Sequence, residues 1–162
     1  MRFQREPVRG WEGVHQAYQV REFEDQGMVF AAVNVPPSIL GMTLEQHGAE
    51  LGELMSQYDR MLVAGLLIED TARGRVRVGP LGNPVVTYQL TEQDVDTLVR
   101  GMSLLAELLF AAGATRVLLP VDGMAELRSA DDARRLRNGS IDAWRMEVVT
   151  VHLMGTARMG SD

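Results

Sequence analysis

Cysteine is absent from this sequence of 162 residues. Its absence excludes disulfides, thiolate metal ligands, iron–sulfur clusters and cysteine nucleophiles together. Histidine is scarce too: His15, His47 and His152 are the three present, and none has the spacing of a metal-ligand pair. The sequence therefore predicts no metal site.

The sequence also lacks a run of basic residues and a long run of apolar ones. The net charge is −6, and no Lys/Arg-rich segment is present, so neither a nucleic-acid partner nor an anionic membrane surface is predicted. No apolar run approaches the roughly 20 residues of a membrane helix. Residues 1–13 are charged and lack the apolar core of a secretory signal. We therefore expect a cytoplasmic protein.

Glycine is plentiful, with 16 residues, yet it never falls in the phosphate-cradling pattern G-x-G-x-x-G. A Walker loop and the G-x-S-x-G turn of serine hydrolases are missing as well. The sequence alone therefore gives no dinucleotide site, no triphosphate site and no local sign of a Ser-His-Asp triad.

Hydrophobic patterning predicts seven strands separated by three helices. The predicted strands are 14–23, 28–35, 61–69, 75–78, 85–90, 115–119 and 145–152, with 14–23 and 28–35 forming a hairpin and 75–78 pairing back on 61–69. The predicted helices follow capping residues Thr43, Thr91 and Ser129. Strands that come in hairpins with helices between them favour an α+β fold, a mostly antiparallel sheet with helices packed on one face. The length fits a single domain spanning residues 1–162.

His152 is the histidine with a catalytic context. It ends the last predicted strand and precedes a glycine-containing loop, a placement that holds a general base rigidly yet accessibly. An ordinary strand-end histidine explains the same pattern, and both interpretations stay open on the residues alone. His15 and His47 are interpreted as structural. The acidic pair Asp131-Asp132 and the arginines of 134–137 are interpreted as a solvated, salt-bridged helix face.

The segment HLMGTARMGSD, residues 152–162, resembles the C-terminal active-site segment of glucose–methanol–choline (GMC) oxidoreductases. Seven of its eleven positions match the family pattern: His152, Gly155, Thr156, Arg158, Met159, Gly160 and Asp162. Upstream, residues 84–94 followed by a long helix and the stretch 111–114 are similar to the region that precedes this segment in the family.

The resemblance implies a chemistry. In the family a tightly held FAD accepts a hydride from an alcohol carbon, and the histidine matching His152 takes the hydroxyl proton. An imidazole suits that role because its neutral form is an available base near neutral pH. The resemblance also implies that Gly155 and Thr156 lie against the cofactor.

The departures from the family pattern define the alternatives. Leu153 stands where proline is common and Ala157 where cysteine is common. The FAD fingerprint and the segment that normally follows the motif are missing, so we expect this chain alone not to retain FAD. It is interpreted as the substrate-side portion of an oxidoreductase that acts on a small-molecule alcohol and needs a companion FAD-binding chain or self-association. The alternatives are a non-catalytic binding or interaction module and a truncated fragment.

Overall fold

The computed structural model describes residues 2–3, 7–14, 16–124, 126–150 and 152. It confirms the α+β fold, with antiparallel strands and with helices between some of them along the chain. The strands are β1 (Arg2–Phe3), β2 (Gln19–Val20), β3 (Met28–Val33), β4 (Met61–Ile68), β5 (Arg75–Val78), β6 (Pro84–Thr87) and β7 (Arg116–Val117). The helices are α1 (Pro37–Met42), α2 (Gly48–Met55), α3 (Glu92–Ala111) and α4 (Ala130–Arg135).

Five strands form one sheet in the order β2-β3-β4-β1-β7, and every neighbouring pair is antiparallel. The longest ladder joins β3 to β4 with Phe30 opposite Leu66 and Ala31 opposite Gly65. Side chains alternate across a strand, so Phe30 and Leu66 share one face while Ala31 and Gly65 share the other. The predicted hairpin is confirmed, although its first strand is limited to Gln19–Val20.

Helix α3 covers one face of this sheet and supplies most of the main core. Its buried side chains recur at three and four residues, as the sequence predicted: Leu98, Val99, Met102, Leu105, Ala106 and Leu109. They pack against Met28 and Phe30 of β3 and against the partly buried Leu66 of β4. A second, smaller cluster at the start of β4 joins Leu40 of α1 and Leu54 of α2 to Met61.

Local capping signals set the ends of two helices correctly. Thr91 accepts a hydrogen bond from the Asp94 N–H, and the Asp94 carboxylate accepts one from the Thr91 N–H, which completes the predicted capping box of α3. Ser129 caps α4 through the Asp132 N–H.

The predicted cap at Thr43 is wrong. The Thr43 hydroxyl instead donates to the Leu40 carbonyl and closes the C-terminus of α1, a helix that the sequence analysis missed. Pro37 lies in the first turn of α1, where its fixed φ and missing N–H cost nothing. The next helix, α2, begins only at Gly48, and His47 is its exposed N-cap residue.

The predicted pairing of 75–78 with 61–69 is also wrong. Strand β5 pairs instead with β6 in a separate two-stranded ribbon, hereafter the β5–β6 ribbon, with Val76 opposite Val86. The chain after β4 is drawn away from the sheet because Thr71 binds the Asp94 carboxylate at the start of α3. The β5–β6 ribbon therefore closes on its own turn, where the Gly79 N–H donates to the Asn83 carbonyl.

Candidate functional site

His152 lies at the end of a segment that is anchored at its start and exposed at its end. Met146 is buried and forms an antiparallel bridge with Val121. The Arg145 guanidinium donates from Nε and Nη2 to the Asp122 carbonyl at 3.0 and 2.6 Å. Six residues beyond Met146, the His152 side chain is exposed. The imidazole is thus accessible, and it lies six residues along the chain from a fixed point of the fold.

The predicted strand 145–152 is wrong as a continuous element. Residues 143–145 form a short 3-10 helix, Met146 bridges Val121, and residues 147–150 belong to no strand. Val148 and Val149 are 54% and 79% exposed. The apolar residues that predicted the strand are present, but only Met146 is buried, while Val148 and Val149 lie in solvent.

Gly155 and Thr156, predicted to contact the cofactor, lie outside the described residues. The same holds for the other positions of the family pattern beyond His152 and for His15. Of the predicted site residues, the structure therefore places His152 alone.

Two of the pockets that described residues line are small. The larger, of about 230 Å³, lies between α3, β4 and residues 118–120, and its walls are mostly apolar side chains. The smaller, of about 50 Å³, lies beside Trp11, whose ring stacks on Tyr58 with centroids 5.2 Å apart. Sites for drug-sized ligands usually enclose about 300–1,000 Å³.

These dimensions decide whether the described residues fit a flavin. FAD needs a long crevice for its rings and a backbone cradle for its diphosphate, whereas the larger pocket is a small, partly open and mostly apolar cleft. No phosphate-cradling glycine pattern accompanies it in the sequence. This pocket alone therefore does not fit a flavin.

A buried carboxylate with a strongly shifted pKa, Asp94, has a structural role in the described fold. Asp94 is 2% exposed, and burial alone would raise the pKa of its carboxyl group. Hydrogen bonds from the backbone N–H groups and hydroxyls of Thr71 and Thr91 outweigh that effect and lower the pKa to about 2. Nearby, a hydrogen bond to Asp70 raises the pKa of Tyr88 to about 12. The sequence showed Asp94 as a capping residue, but not its distant partner Thr71.

The salt-bridged face predicted for the helix that follows Ser129, now α4, is confirmed. Arg134 binds Asp131 and Glu107, Arg135 lies 3.4 Å from Asp132, and Arg137 binds Glu107. The arginine side chains are 39–77% exposed, so these pairs form a solvated network across α3 and α4. The role of this network is structural, because it joins Glu107 of α3 to Arg134 and Arg137.

The described residues were also compared with the requirements of a metal site and of a membrane-spanning helix. In the part of the chain that the structure describes, no three His, Asp or Glu side chains come together as a metal site would require. Among the described helices, none combines the length and apolarity that crossing a bilayer requires.

Comparison with known proteins gives one consistent result. Residues 70–162 match the family described as GMC oxidoreductase, in its C-terminal portion. Uncharacterized GMC-type oxidoreductases from two strains of Mycobacterium tuberculosis are each 30% identical over 156 residues, which is 96% of this chain and 24% of theirs. An uncharacterized GMC-type oxidoreductase of Sinorhizobium fredii is 26% identical over 96% of this chain and 31% of its own. The chain thus spans about a quarter to a third of the relatives' length. No solved structure matches.

Proposed function

The chain belongs to the GMC oxidoreductase family, and we propose that it contributes the substrate-side portion of an FAD-dependent alcohol oxidoreductase. In this proposal the flavin receives the hydride of the CH–OH group, and it is held by sequence other than the described residues. The chain's own contribution is to present His152 as the base that accepts the hydroxyl proton.

One observation carries the proposal. His152 begins the segment that resembles the family's active-site motif, and the fold leaves its imidazole exposed while anchoring the chain at Met146. A general base needs this combination of access to the substrate and support from a rigid element. The family match, which ends at residue 162, includes the whole segment.

The proposal that FAD is held by other sequence is tested by an absorbance spectrum of the purified chain, recorded before and after it is mixed with FAD and desalted. We expect a colourless protein in both cases, because the pocket of about 230 Å³ beside α3 is smaller than the sites that usually hold ligands of this size. Retention of flavin bands at close to one equivalent after desalting would contradict the proposal that the cofactor is held elsewhere. Free FAD carried through the same column without protein is the control.

A second candidate function, a non-catalytic interaction module, is favoured by the β5–β6 ribbon. Val76, Val78 and Val86 are 61%, 82% and 68% exposed, and Val76 lies directly opposite Val86. Alternation places these valines on one face and Arg75 and Arg77 on the other. An exposed apolar face of this kind is typical of a surface that another protein or a second copy covers.

Analytical ultracentrifugation of the unmodified chain and of a Val76→Thr/Val86→Thr variant measures that interface. Threonine keeps the β-branched shape but adds a hydroxyl, so the ladder should persist while association weakens by about tenfold or more. A Val14→Thr variant, altered at a residue that is 83% exposed outside the ribbon, is the matched control. A chain that stays monomeric at all concentrations, with and without the substitutions, would remove self-association from this candidate.

A further inference from the structure

Strand β5 has one edge that no other described strand pairs with. The Gly79 N–H donates to the Asn83 carbonyl at 2.7 Å, which makes these two residues a hydrogen-bonded pair at the end of the β5–β6 ribbon. Hydrogen-bonded and non-hydrogen-bonded pairs alternate along an antiparallel ladder. In the observed register Val76 and Val78 therefore take non-hydrogen-bonded positions, and their N–H and C=O groups point away from β6. The outer edge of β5 thus offers two donors and two acceptors to a further strand.

The outer edge of β6 is less suited to pairing. Pro84 lies opposite Val78 at the same kind of position, and a proline has no N–H to donate. This placement agrees with the alternation, because proline is tolerated in a strand where its nitrogen faces outward. Within β6, Val86 is then the residue whose N–H points outward. An added strand is therefore expected at β5 rather than at β6.

The side chains beside the β5 edge carry positive charge that no described acid neutralises. Arg75 and Arg77 are exposed, and neither forms an ion pair among the described residues. Residues 71–91 contain three arginines and no Asp or Glu, although the net charge of the whole chain is −6. The preceding acid, Asp70, accepts a hydrogen bond from the Tyr88 hydroxyl. The β5–β6 ribbon is thus a basic surface on an acidic protein, which favours an acidic partner.

The two faces of the ribbon set the sequence pattern of a complementary strand. Successive side chains of a strand point to opposite faces, so an added strand would meet the exposed valines and the arginines in turn. Cross-strand pairs of opposite charge and pairs of apolar side chains both stabilise a sheet. The matching segment therefore alternates apolar and acidic residues.

A second copy of this chain fits the β5 edge less well. If two copies of β5 paired antiparallel through Val76, Arg77 of one copy would lie opposite Arg75 or Arg77 of the other. Like charges directly opposite each other destabilise a strand pair. The arginines thus disfavour pairing of β5 with itself and favour a different, acidic strand.

We propose that the outer edge of β5 pairs, antiparallel, with an extended segment of a partner protein in which apolar and acidic side chains alternate. The backbone of Val76 and Val78 supplies the hydrogen bonds, the valine face receives the apolar side chains, and Arg75 and Arg77 bind the carboxylates. This proposal rests on the interaction function proposed for the β5–β6 ribbon and names its partner, and it is independent of the flavin chemistry.

Hydrogen exchange tests the pairing on the unmodified chain, with and without a short peptide that alternates valine and glutamate. We expect the amides of Val76 and Val78 to exchange at least about tenfold more slowly when the peptide is saturating. The Val86 amide is the internal control, because it faces outward on the opposite edge and should keep its rate. If the amides of Val76 and Val78 are already protected without peptide, the chain covers this edge itself and the proposal is wrong.

Charge reversal tests the recognition. The native chain should bind the valine–glutamate peptide at least about tenfold more tightly than a valine–lysine peptide, and an Arg75→Glu/Arg77→Glu chain should show the reverse preference. An Arg21→Glu/Arg100→Glu chain makes the same change of net charge at exposed positions outside the ribbon, so it should keep the native preference.

Calorimetric titration measures these affinities without flavin or alcohol. Equal affinity of the native chain for the two peptides, or no binding of either at about 1 mM, would overturn the proposal. A chain that stays monomeric in the ultracentrifuge but binds the valine–glutamate peptide would exclude self-association and support the proposed partner.

Discussion

Replacement of His152 by alanine is expected to lower alcohol-dependent reduction of the flavin by about 100- to 10,000-fold, the range that a positioned base contributes. The assay needs a flavin-holding partner, which a chimera provides: residues 1–162 replace the aligned segment of the Mycobacterium tuberculosis relative that is 30% identical. The side chain is exposed, so its loss should leave folding and flavin content unchanged.

His47→Ala is the matched control, since it removes the same side chain from another exposed position, at the start of α2. It should leave the rate of flavin reduction within about twofold of the parent, as expected for a surface substitution away from the site. A His152→Ala chimera that retains flavin and reacts at the parent rate would show that the base lies elsewhere.

Replacement of Asp94 by alanine is expected to cause a large loss of stability for a single polar substitution. The variant removes the reciprocal cap of α3 and leaves the N–H groups of Thr71 and Thr91 without their acceptor. A lost cap costs about 1 kcal/mol and a buried donor left without a partner about 1–3 kcal/mol. We expect a decrease of about 3 kcal/mol in the free energy of unfolding, measured by urea denaturation at pH 7.

The Asp94→Asn substitution keeps the size of the side chain and removes its charge, so it measures how much the charge contributes to the free energy of unfolding. The folded-state pKa of Asp94 is about 2, below its ordinary value of 3.8, so ionisation favours the folded state. The corresponding stabilisation, about 2 kcal/mol from the shift, is fully present above roughly pH 4 and is lost as the pH falls through 2. The stability gap between the native chain and Asp94→Asn should therefore be widest near neutrality and close towards pH 2.

Asp96→Asn is the control for the pH series, because it makes the same chemical change at an exposed position of α3. It should change the free energy of unfolding by less than about 0.5 kcal/mol. A gap for Asp94→Asn that stays constant from pH 7 to pH 2 would show that the carboxylate charge does not carry the stabilisation.

Features encoded by neighbouring residues could be predicted from the sequence. The capping box of α3 and the periodic buried face that follows it depend on contacts within a few residues, and both are present. The hairpin formed by β2 and β3 is also local, and Gly27 supplies the positive φ of 71° that its turn requires.

Features decided by competition between distant partners could not be predicted. Strand β5 has the alternation to join the sheet, yet the bonds of Thr71 to Asp94 hold the preceding chain at the start of α3. Thr43 has the sequence of an N-cap, but its hydroxyl closes α1 instead. Periodicity identifies a strand or a cap but does not choose its partner.

The same limit applies to the candidate site. The motif identified His152, and the structure shows an exposed imidazole on an anchored segment. Residues 147–150 belong to a segment predicted as a strand, yet the structure places them in no strand. Whether such a segment forms a strand depends on the strands beside it, and a local sequence pattern does not identify those neighbours.

Alcohol-dependent bleaching of the flavin in the chimera tests the central claim most directly, that this chain supplies the substrate side and the base of a GMC oxidoreductase. The measurement is made anaerobically over a panel of primary and secondary alcohols, with flavin absorbance recorded after each addition. The account predicts that at least one alcohol bleaches the parent chimera and the His47→Ala chimera rapidly, and the His152→Ala chimera at least about 100-fold more slowly. A chimera that holds FAD but bleaches with no alcohol, or bleaches equally well without His152, would contradict it.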